Sequence, residues 1–469
     1  MEKASKHIKL KVPAKATVWY IGSGALARAI GALSTPIFTR LLTPEEYGLY
    51  PLYNSWIGVL SVIITLELTG GVIYRGLQKH SHIKDGFVSA TFGLLGVIFF
   101  GFCALYFALY RFIGLYTGLN IKISILMMLQ IFATAILSLY LAKARFEYRY
   151  KVVAALNIAS ALLMPFVAIT IVFMTAIRAE ARIYAASLTS LIISIPIAYA
   201  IIKSSEKLYN KDIWRYLIRH AIPLLPHYLA SSLILKIGEI SISKSFGTEM
   251  LGRYSIAISV GMVLTVVTGG LLSALTPWMI RKIREGGIKK IQEFLLLSVK
   301  GLSLLSLAIL AFTPEVMSLM ATEGFRSALP AVYPLEIAVV FSFLSGAIMS
   351  ACSYYERGAI SSLPSIASAS VSAILSILVL PNVDYRFAGL FALISYIVLS
   401  LCAALVFKHL SGDLPISIKK CAGIFLLTAL YAALLLSLSK VIISRVFLVI
   451  PLLPLLYFTG KEIIEKIRE

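Results

Sequence analysis

A chain of 469 residues with 59% hydrophobic residues, 14% charged residues and a mean hydropathy of +0.90 is too apolar for a soluble domain. Its net charge of +21 would suit a nucleic-acid partner, but the cations are dispersed between apolar runs and lack aromatic interleaving, which excludes that partner and points to anionic lipid headgroups. Uninterrupted apolar runs of about 17–25 residues cross a bilayer as helices, and hydrocarbon tolerates only helices or closed barrels, so the fold class is all-α and polytopic.

In chain order, a lysine-rich tail (Lys3, Lys6, Lys9, Lys11, Lys15) precedes a first span at 17–42. The tail and apolar run imitate a signal peptide with a cleavage site at Ala25–Ala27, but the run continues for a full span, so the expectation is an uncleaved helix. Spans two to six follow at 49–73, 86–110, 123–142, 152–177 and 183–202, and spans seven to twelve at 221–242, 254–280, 294–312, 332–351, 362–380 and 388–407. Two more, at 421–439 and 441–458, make about 14 transmembrane helices, the last of them weakened by Arg445, Pro451 and Pro454. The longest connection, 203–220, is expected to hold a short amphipathic helix around 213–218. Placing both termini in the cytoplasm puts most of the 43 Lys and Arg on that side, as the positive-inside bias requires.

Charges within spans are the candidate functional groups, because a cation at bilayer depth costs about 2.5–3.5 kcal/mol even on a lenient scale and normally faces a bundle interior or a wet cavity. Arg28 lies on a small and polar stripe with Gly24, Gly31, Thr35 and Thr39, and Lys236 on a second stripe with Ser232, Glu239 and Ser243. A guanidinium presents a planar fork that grips phosphate, so Arg28 is the first candidate for an anion contact. Lys236 is the second, with Glu239 one turn on and able to pair with it. Glu67 is read either as the counter-ion of Arg28 or as a group that couples transport to a Na+ or H+ gradient. Lys300 is expected to snorkel to the interface, and Glu336 to lie at the outer surface.

The stretch from Arg40 to Tyr50 matches that from Lys244 to Tyr254 without gaps, 204 positions on, retaining a cation, Glu45/Glu249 and Gly48-x-Tyr50/Gly252-x-Tyr254. Both copies close the first helix of a six-helix half in the same orientation, so the chain reads as a parallel repeat. Its domains are then an N-terminal lobe (1–202), a C-terminal lobe (203–407) and two further helices with a tail (408–469). By the repeat, the stripes of Arg28 and Lys236 are equivalent and are expected to face one cavity. Arg40 and Lys244 are either a gate or caps on helix C-termini, where a cation is favoured. In a purely structural reading of the motif, its glycine supplies a tight turn and its tyrosine sits at headgroup level.

The run Thr43, Pro44, Glu45, Glu46, Tyr47, Gly48, Leu49, Tyr50 closing a small-residue first helix resembles the polysaccharide-transporter, or O-antigen-type flippase, family. That family belongs to the multidrug/oligosaccharidyl-lipid/polysaccharide exporter superfamily. The resemblance implies two six-helix lobes around a cavity, alternating access, and flipping of a polyprenyl-diphosphate-linked oligosaccharide across the cytoplasmic membrane. Glycan-assembly enzymes are the further partners it suggests.

Two rivals remain at this point: a secondary multidrug or cation extruder of the same superfamily, and a membrane-embedded glycan polymerase or glycosyltransferase. The first needs cavity carboxylates where Arg28 stands, and the second a sizeable outer catalytic loop. No nucleotide-binding glycine loop, His-Glu-x-x-His or His cluster is present, so neither enzyme activity nor a cofactor is expected. Cys103, Cys352, Cys402 and Cys421 show no metal or disulfide spacing.

Overall fold

Thr43, Pro44 and Glu46 begin the second helix through a capping box. The Thr43 amide donates to Glu46 Oε2 at 2.9 Å, and the Glu46 amide donates to Thr43 Oγ1 at 3.2 Å, satisfying two donors that a helix start leaves over. Pro44 occupies the first helical position, where its missing N–H costs nothing. The motif that carries the family resemblance is thus a helix-start device. Thr43→Ala is expected to cost about 1 kcal/mol, read as a lowered Tm in detergent, without altering substrate handling.

In a computed structural model, residues 2–204, 207–355, 358–439 and 441–468 are described; they form helices and short connections, with no β-strand among them. The chain divides into two compact units, Met1–Leu42 with Leu49–Ser232, and Thr43–Gly48 with Leu233–Glu469. The first holds α1 (Glu2–Leu41), most of α2 (Pro44–Thr65), α3 (Gly71–Lys79), α4 (Lys84–Ala108), α5 (Tyr110–Thr117), α6 (Ile121–Phe146), α7 (Tyr150–Met174), α8 (Ala181–Lys203), α9 (Lys211–Ala221) and the start of α10 (Leu225–Gly261). The second holds the rest of α10, then α11 (Thr265–Arg284), α12 (Ile288–Ala311), α13 (Thr313–Met320), α14 (Leu329–Cys352) and α15 (Gly358–Ile374). It ends with α16 (Ala388–Ser411), α17 (Ile418–Ser437), α18 (Ile442–Val449) and α19 (Leu452–Arg468).

Twelve helical stretches among the described residues are long and apolar enough to cross a membrane, by length and composition. α1 covers the predicted first span and α11 most of the eighth; both stand outside that twelve, so about 14 spans remains consistent with the structure. Four expectations change in detail. The second span breaks after Thr65 and resumes at Gly71, and the last breaks at Ile450 and Pro451 into α18 and α19. The connection expected between spans seven and eight is helical, interrupted at Gly247, whose φ of +86° only glycine adopts readily. The amphipathic helix is longer than expected, running over α9.

In the first unit α1 packs on α7, α6 on α8 and α7 on α8. A buried polar triad ties three helices: Tyr53 OH on α2 donates to Gln130 Oε1 on α6 at 2.8 Å, and Ser187 Oγ on α8 lies 3.1 Å from the same hydroxyl. Each of these three polar side chains therefore has a partner. α9 starts at Asn210, whose side chain accepts from the amides of Asp212 and Ile213. It buries Ile213 and Leu217, and Trp214 Nε1 donates to the Ala90 carbonyl on α4 at 2.8 Å, while Lys211, Arg215 and Arg219 remain exposed.

In the second unit α14 is almost wholly enclosed by α11, α12, α16 and α17. At the crossing of α2 and α10, a Cβ on Gly48 would press on the Thr248 carbonyl and lie 2.9 Å from the Gly252 amide nitrogen. A Cβ on Gly252 would in turn lie 3.0 Å from the Pro44 carbonyl carbon and 3.1 Å from the Gly48 amide nitrogen. The repeated glycines are therefore each other's contact. Both lie inside helices, so the tight-turn reading of the motif is corrected: glycine is needed because two backbones touch. Of the two motif tyrosines, Tyr254 is buried, in place of a headgroup position, and Tyr50 is half-buried, its ring stacked 6.4 Å from that of Tyr53.

Candidate functional site

Arg28 lies near the middle of α1 and is exposed. The stripe around it has two characters. At Gly24 and Gly31 an added Cβ would meet nothing within 4 Å, so these glycines border open space and are not helix-contact residues. Towards the far end Thr35 and Thr39 are buried, with hydroxyls donating to the carbonyls of Gly31 and Pro36. The guanidinium thus stands on the open part of its helix.

Glu67, expected in mid-span, sits in the break between α2 and α3. Leu66 and Glu67 take φ values of +47° and +49°, a left-handed pair of non-glycine residues that costs about 1–2 kcal/mol each. The break is held by short bonds: the Leu68 amide donates to the Thr65 carbonyl, the Gly70 amide to the Glu67 carbonyl, and the Glu67 amide to Thr65 Oγ1. Leu68 is fully buried and pins the turn. A Cβ at Gly70 would lie 3.1–3.3 Å from Glu67 Cγ, O and Oε1, a tight fit to which the Glu67 side chain would have to yield. The Gly71 amide donates to Tyr228 OH at 3.4 Å. No ion pair joins Glu67 to Arg28 among the described residues, so the counter-ion reading of Glu67 is not realised. A helix opened at a carboxylate is an arrangement that membrane proteins retain where irregular backbone lines a cavity.

In the second unit, Lys236 Nζ donates to Glu239 Oε1 at 2.7 Å; Glu239 is buried and the lysine stem is about one-third exposed. The pair presents a dipole where an isolated cation was one of the expectations. Ser232 Oγ, from the same stripe, donates to the Gly58 carbonyl at 2.6 Å. Arg40 Nη1 donates to the Pro36 carbonyl at 2.8 Å, the bond of a helix cap. Lys244 is exposed at the corresponding position. Lys300 is exposed on α12, and Glu336 is fully buried in place of the expected outer surface.

Three further groups were missed. Arg178 donates to the Leu41 carbonyl, and the Arg182 guanidinium lies 4.9 Å from the Phe38 ring and 4.2 Å from the Tyr50 ring, so two arginines hold the end of α1 through capping and cation–π contact. In the second unit Arg445 is only 2% exposed. Its Nη1 and Nη2 grip Glu315 Oε2 and Oε1 at 2.8 and 2.5 Å, and Nη1 also donates to the Ala311 carbonyl. Fork-to-fork geometry of this kind is the strongest form of the pair. Only the low apolar continuity around Arg445 hinted at it. No cluster of three or more metal-ligating side chains occurs among the described residues.

A protein-family model described as "Polysaccharide biosynthesis protein" matches residues 14–282. Among solved structures, the chain is similar to the lipid II flippase MurJ in an inward closed conformation, with TM-score 0.65, 13% identity, and coverage of 97% of this chain and 100% of that one. It is also similar to a multidrug resistance MATE family transporter of the MOP superfamily in an inward-facing conformation (TM-score 0.62, 15% identity, 82% and 96% coverage). A third is a MOP superfamily transporter from Pyrococcus furiosus described as having a binding pocket of reverse polarity (TM-score 0.57, 16% identity, 85% and 96% coverage). At these identities the likeness is one of fold. No curated protein sequence matches.

Proposed function

Because the chain belongs to the polysaccharide biosynthesis protein family, we propose that it flips a polyprenyl-diphosphate-linked oligosaccharide across the cytoplasmic membrane by alternating access, with Arg28 gripping the diphosphate. The observation that carries this reading is Arg28 itself: an exposed guanidinium near the middle of a membrane-length helix, flanked by glycines that border open space. A cation at that depth is retained for function by default, and a guanidinium holds a diphosphate through two parallel hydrogen bonds. Likeness in fold to the lipid II flippase supports the same class of cargo. Lys236 and Glu239 remain a secondary substrate-binding candidate, active once their mutual bond opens. Glu67 is the candidate for coupling to Na+ or H+. The reading puts both termini in the cytoplasm and takes glycan-assembly enzymes as partners. The reading includes no cofactor and no covalent chemistry.

Arg28→Ala is expected to reduce flipping of a fluorescent polyprenyl-diphosphate saccharide in proteoliposomes at least about a hundredfold, the equivalent of losing one charge-assisted contact of about 3 kcal/mol. Arg28→Lys, which keeps charge but not the fork, should retain an intermediate rate. Folding and insertion should be unchanged, since the side chain is exposed. Wild-type rates in Arg28→Ala would remove the proposed contact. A cation extruder makes the opposite forecast: Arg28→Ala would then leave transport of organic cations unchanged or faster.

A further inference from the structure

Glu336, on α14, is fully buried, and neither carboxyl oxygen has a hydrogen-bond partner among the described residues. On the same face of its helix Val332, Tyr333, Val339 and Val340, one turn to either side, are buried too. Leaving an ionised carboxylate there without a partner would cost many kcal/mol, and replacing it by an apolar residue would cost nothing in packing. Several charged and titratable groups on and around the elements packed against α14 are engaged elsewhere. Arg445 binds Glu315, Arg386 binds Asp384, Arg326 pairs with Glu323, and Tyr385 OH meets Ser327. Tyr431 donates to the Leu448 carbonyl, whereas the buried Tyr333 hydroxyl, one turn before Glu336 on α14, has no hydrogen-bond partner among the described residues.

The location adds a mechanical element. Gly261, the last residue of α10, abuts α14 at this level: a Cβ on it would lie 2.9 Å from Leu335 Cβ and 3.5 Å from the Glu336 amide nitrogen. Immediately beyond, the α-helical bonding lapses. The amides of Val263, Thr265 and Val266 donate to carbonyls only three residues back, at Val260, Met262 and Val263, before α11 begins at Thr265. Leu264 in this break is fully buried and Val263 is 46% exposed, so the break lies between packed protein and the exterior. The interruption between α10 and α11 thus lies beside an unpartnered acid.

We propose that Glu336 is a proton-binding site of the second unit, neutral while α14 is closed against the α10–α11 break and releasing its proton when rearrangement of that break admits water. On release the carboxyl O–H bond breaks, the proton passes to water, and the electron pair stays on the carboxylate. The site would make a proton gradient one source of drive; that consequence rests on the transport reading above, whereas proton binding itself does not.

The test has two arms on the full-length protein. In lipid nanodiscs at neutral pH, infrared spectra of the wild type should contain a protonated-carboxyl C=O band that Glu336→Gln lacks. In proteoliposomes, an imposed pH gradient should accelerate wild-type flipping, and Glu336→Gln should lose that acceleration while still equilibrating substrate down its own gradient. A band of equal intensity in both proteins overturns the proton site. Acceleration retained in Glu336→Gln overturns its coupling role. Absence of flipping in the wild type counts against the transport reading, and the infrared comparison still decides on the proton. Should Glu336→Gln fail to accumulate, Glu336→Leu, which suits the apolar surroundings, supplies the same comparisons.

Discussion

Gly48→Ala and Gly252→Ala should each abolish accumulation of folded protein, whereas Gly24→Ala and Gly31→Ala should be tolerated. A methyl at Gly48 would meet the Thr248 carbonyl and the Gly252 amide nitrogen, and one at Gly252 would meet the backbone of Pro44 and Gly48. These obstacles are backbone atoms inside helices and cannot rotate aside. Overpacking that flexible side chains can absorb costs about 1–3 kcal/mol, so a clash with fixed backbone exceeds that range and approaches the whole stability of a typical fold. At Gly24 and Gly31 the added methyl finds open space, and alanine is better than glycine in a helix by about 0.8–1.0 kcal/mol. Yield of monodisperse protein after size-exclusion chromatography reads all four variants. The glycine crossing would be wrong if Gly48→Ala accumulated like Gly24→Ala.

Removing Glu315 should destabilise the second unit by about 1–3 kcal/mol: Arg445 would be left buried with its charge uncompensated, but the 41% exposure of the Glu315 side chain lets solvent screen part of the loss. Arg445→Met should be far milder, and the double variant Glu315→Ala/Arg445→Met should recover most of what Glu315→Ala loses. Apolar replacement removes the desolvation penalty together with the attraction. Thermal unfolding in detergent, followed for the three variants and the wild type, measures this non-additivity. A double variant no more stable than Glu315→Ala would contradict it. The pair also sets an acid limit. The Arg445 hydrogen bonds hold the Glu315 carboxyl below its ordinary range. A depressed folded-state value contributes stability that is complete above the unfolded carboxyl's range and is lost as pH falls through the folded one. Wild-type Tm should therefore decline below about pH 4, and the Arg445→Met variant should show less of that decline.

How much of this was legible beforehand follows from the range of each interaction. Membrane-length helices were readable because apolar run length is a local property; the Thr43-x-x-Glu46 helix start is as local a signal, yet the second span was expected to begin only at 49. Pairing of Gly48 with Gly252 was half readable: the repeat related them, but only tertiary structure shows that they touch. The break at Leu66 and Glu67 left only the Gly70-Gly71 pair as a signal, since neither Leu nor Glu favours a positive φ. Glu336 was placed at the surface because Pro334 precedes it, yet the helix begins five residues earlier, before that proline, and carries the acid inside. Arg445 looked like a flaw in a weak last span because its partner lies 130 positions away, in a short helix between two spans. Among the candidate site residues, the Lys236–Glu239 pair was readable from one-turn spacing, whereas the anchoring of α1 by Arg178 and Arg182 depends on contacts more than a hundred positions apart.

The capture of the first turn of α2 by the strand of chain around Gly252 bears on how the protein is made. Thr43–Gly48 belongs to the same compact unit as Leu233–Glu469, so its backbone surface stays unmatched until the ribosome has added 204 further residues. At about 5–20 residues per second that interval is roughly 10–40 s. Throughout it, the nascent protein carries an early helix whose entrance has no cover, and a chaperone or insertase able to shield it would raise the yield of intact product.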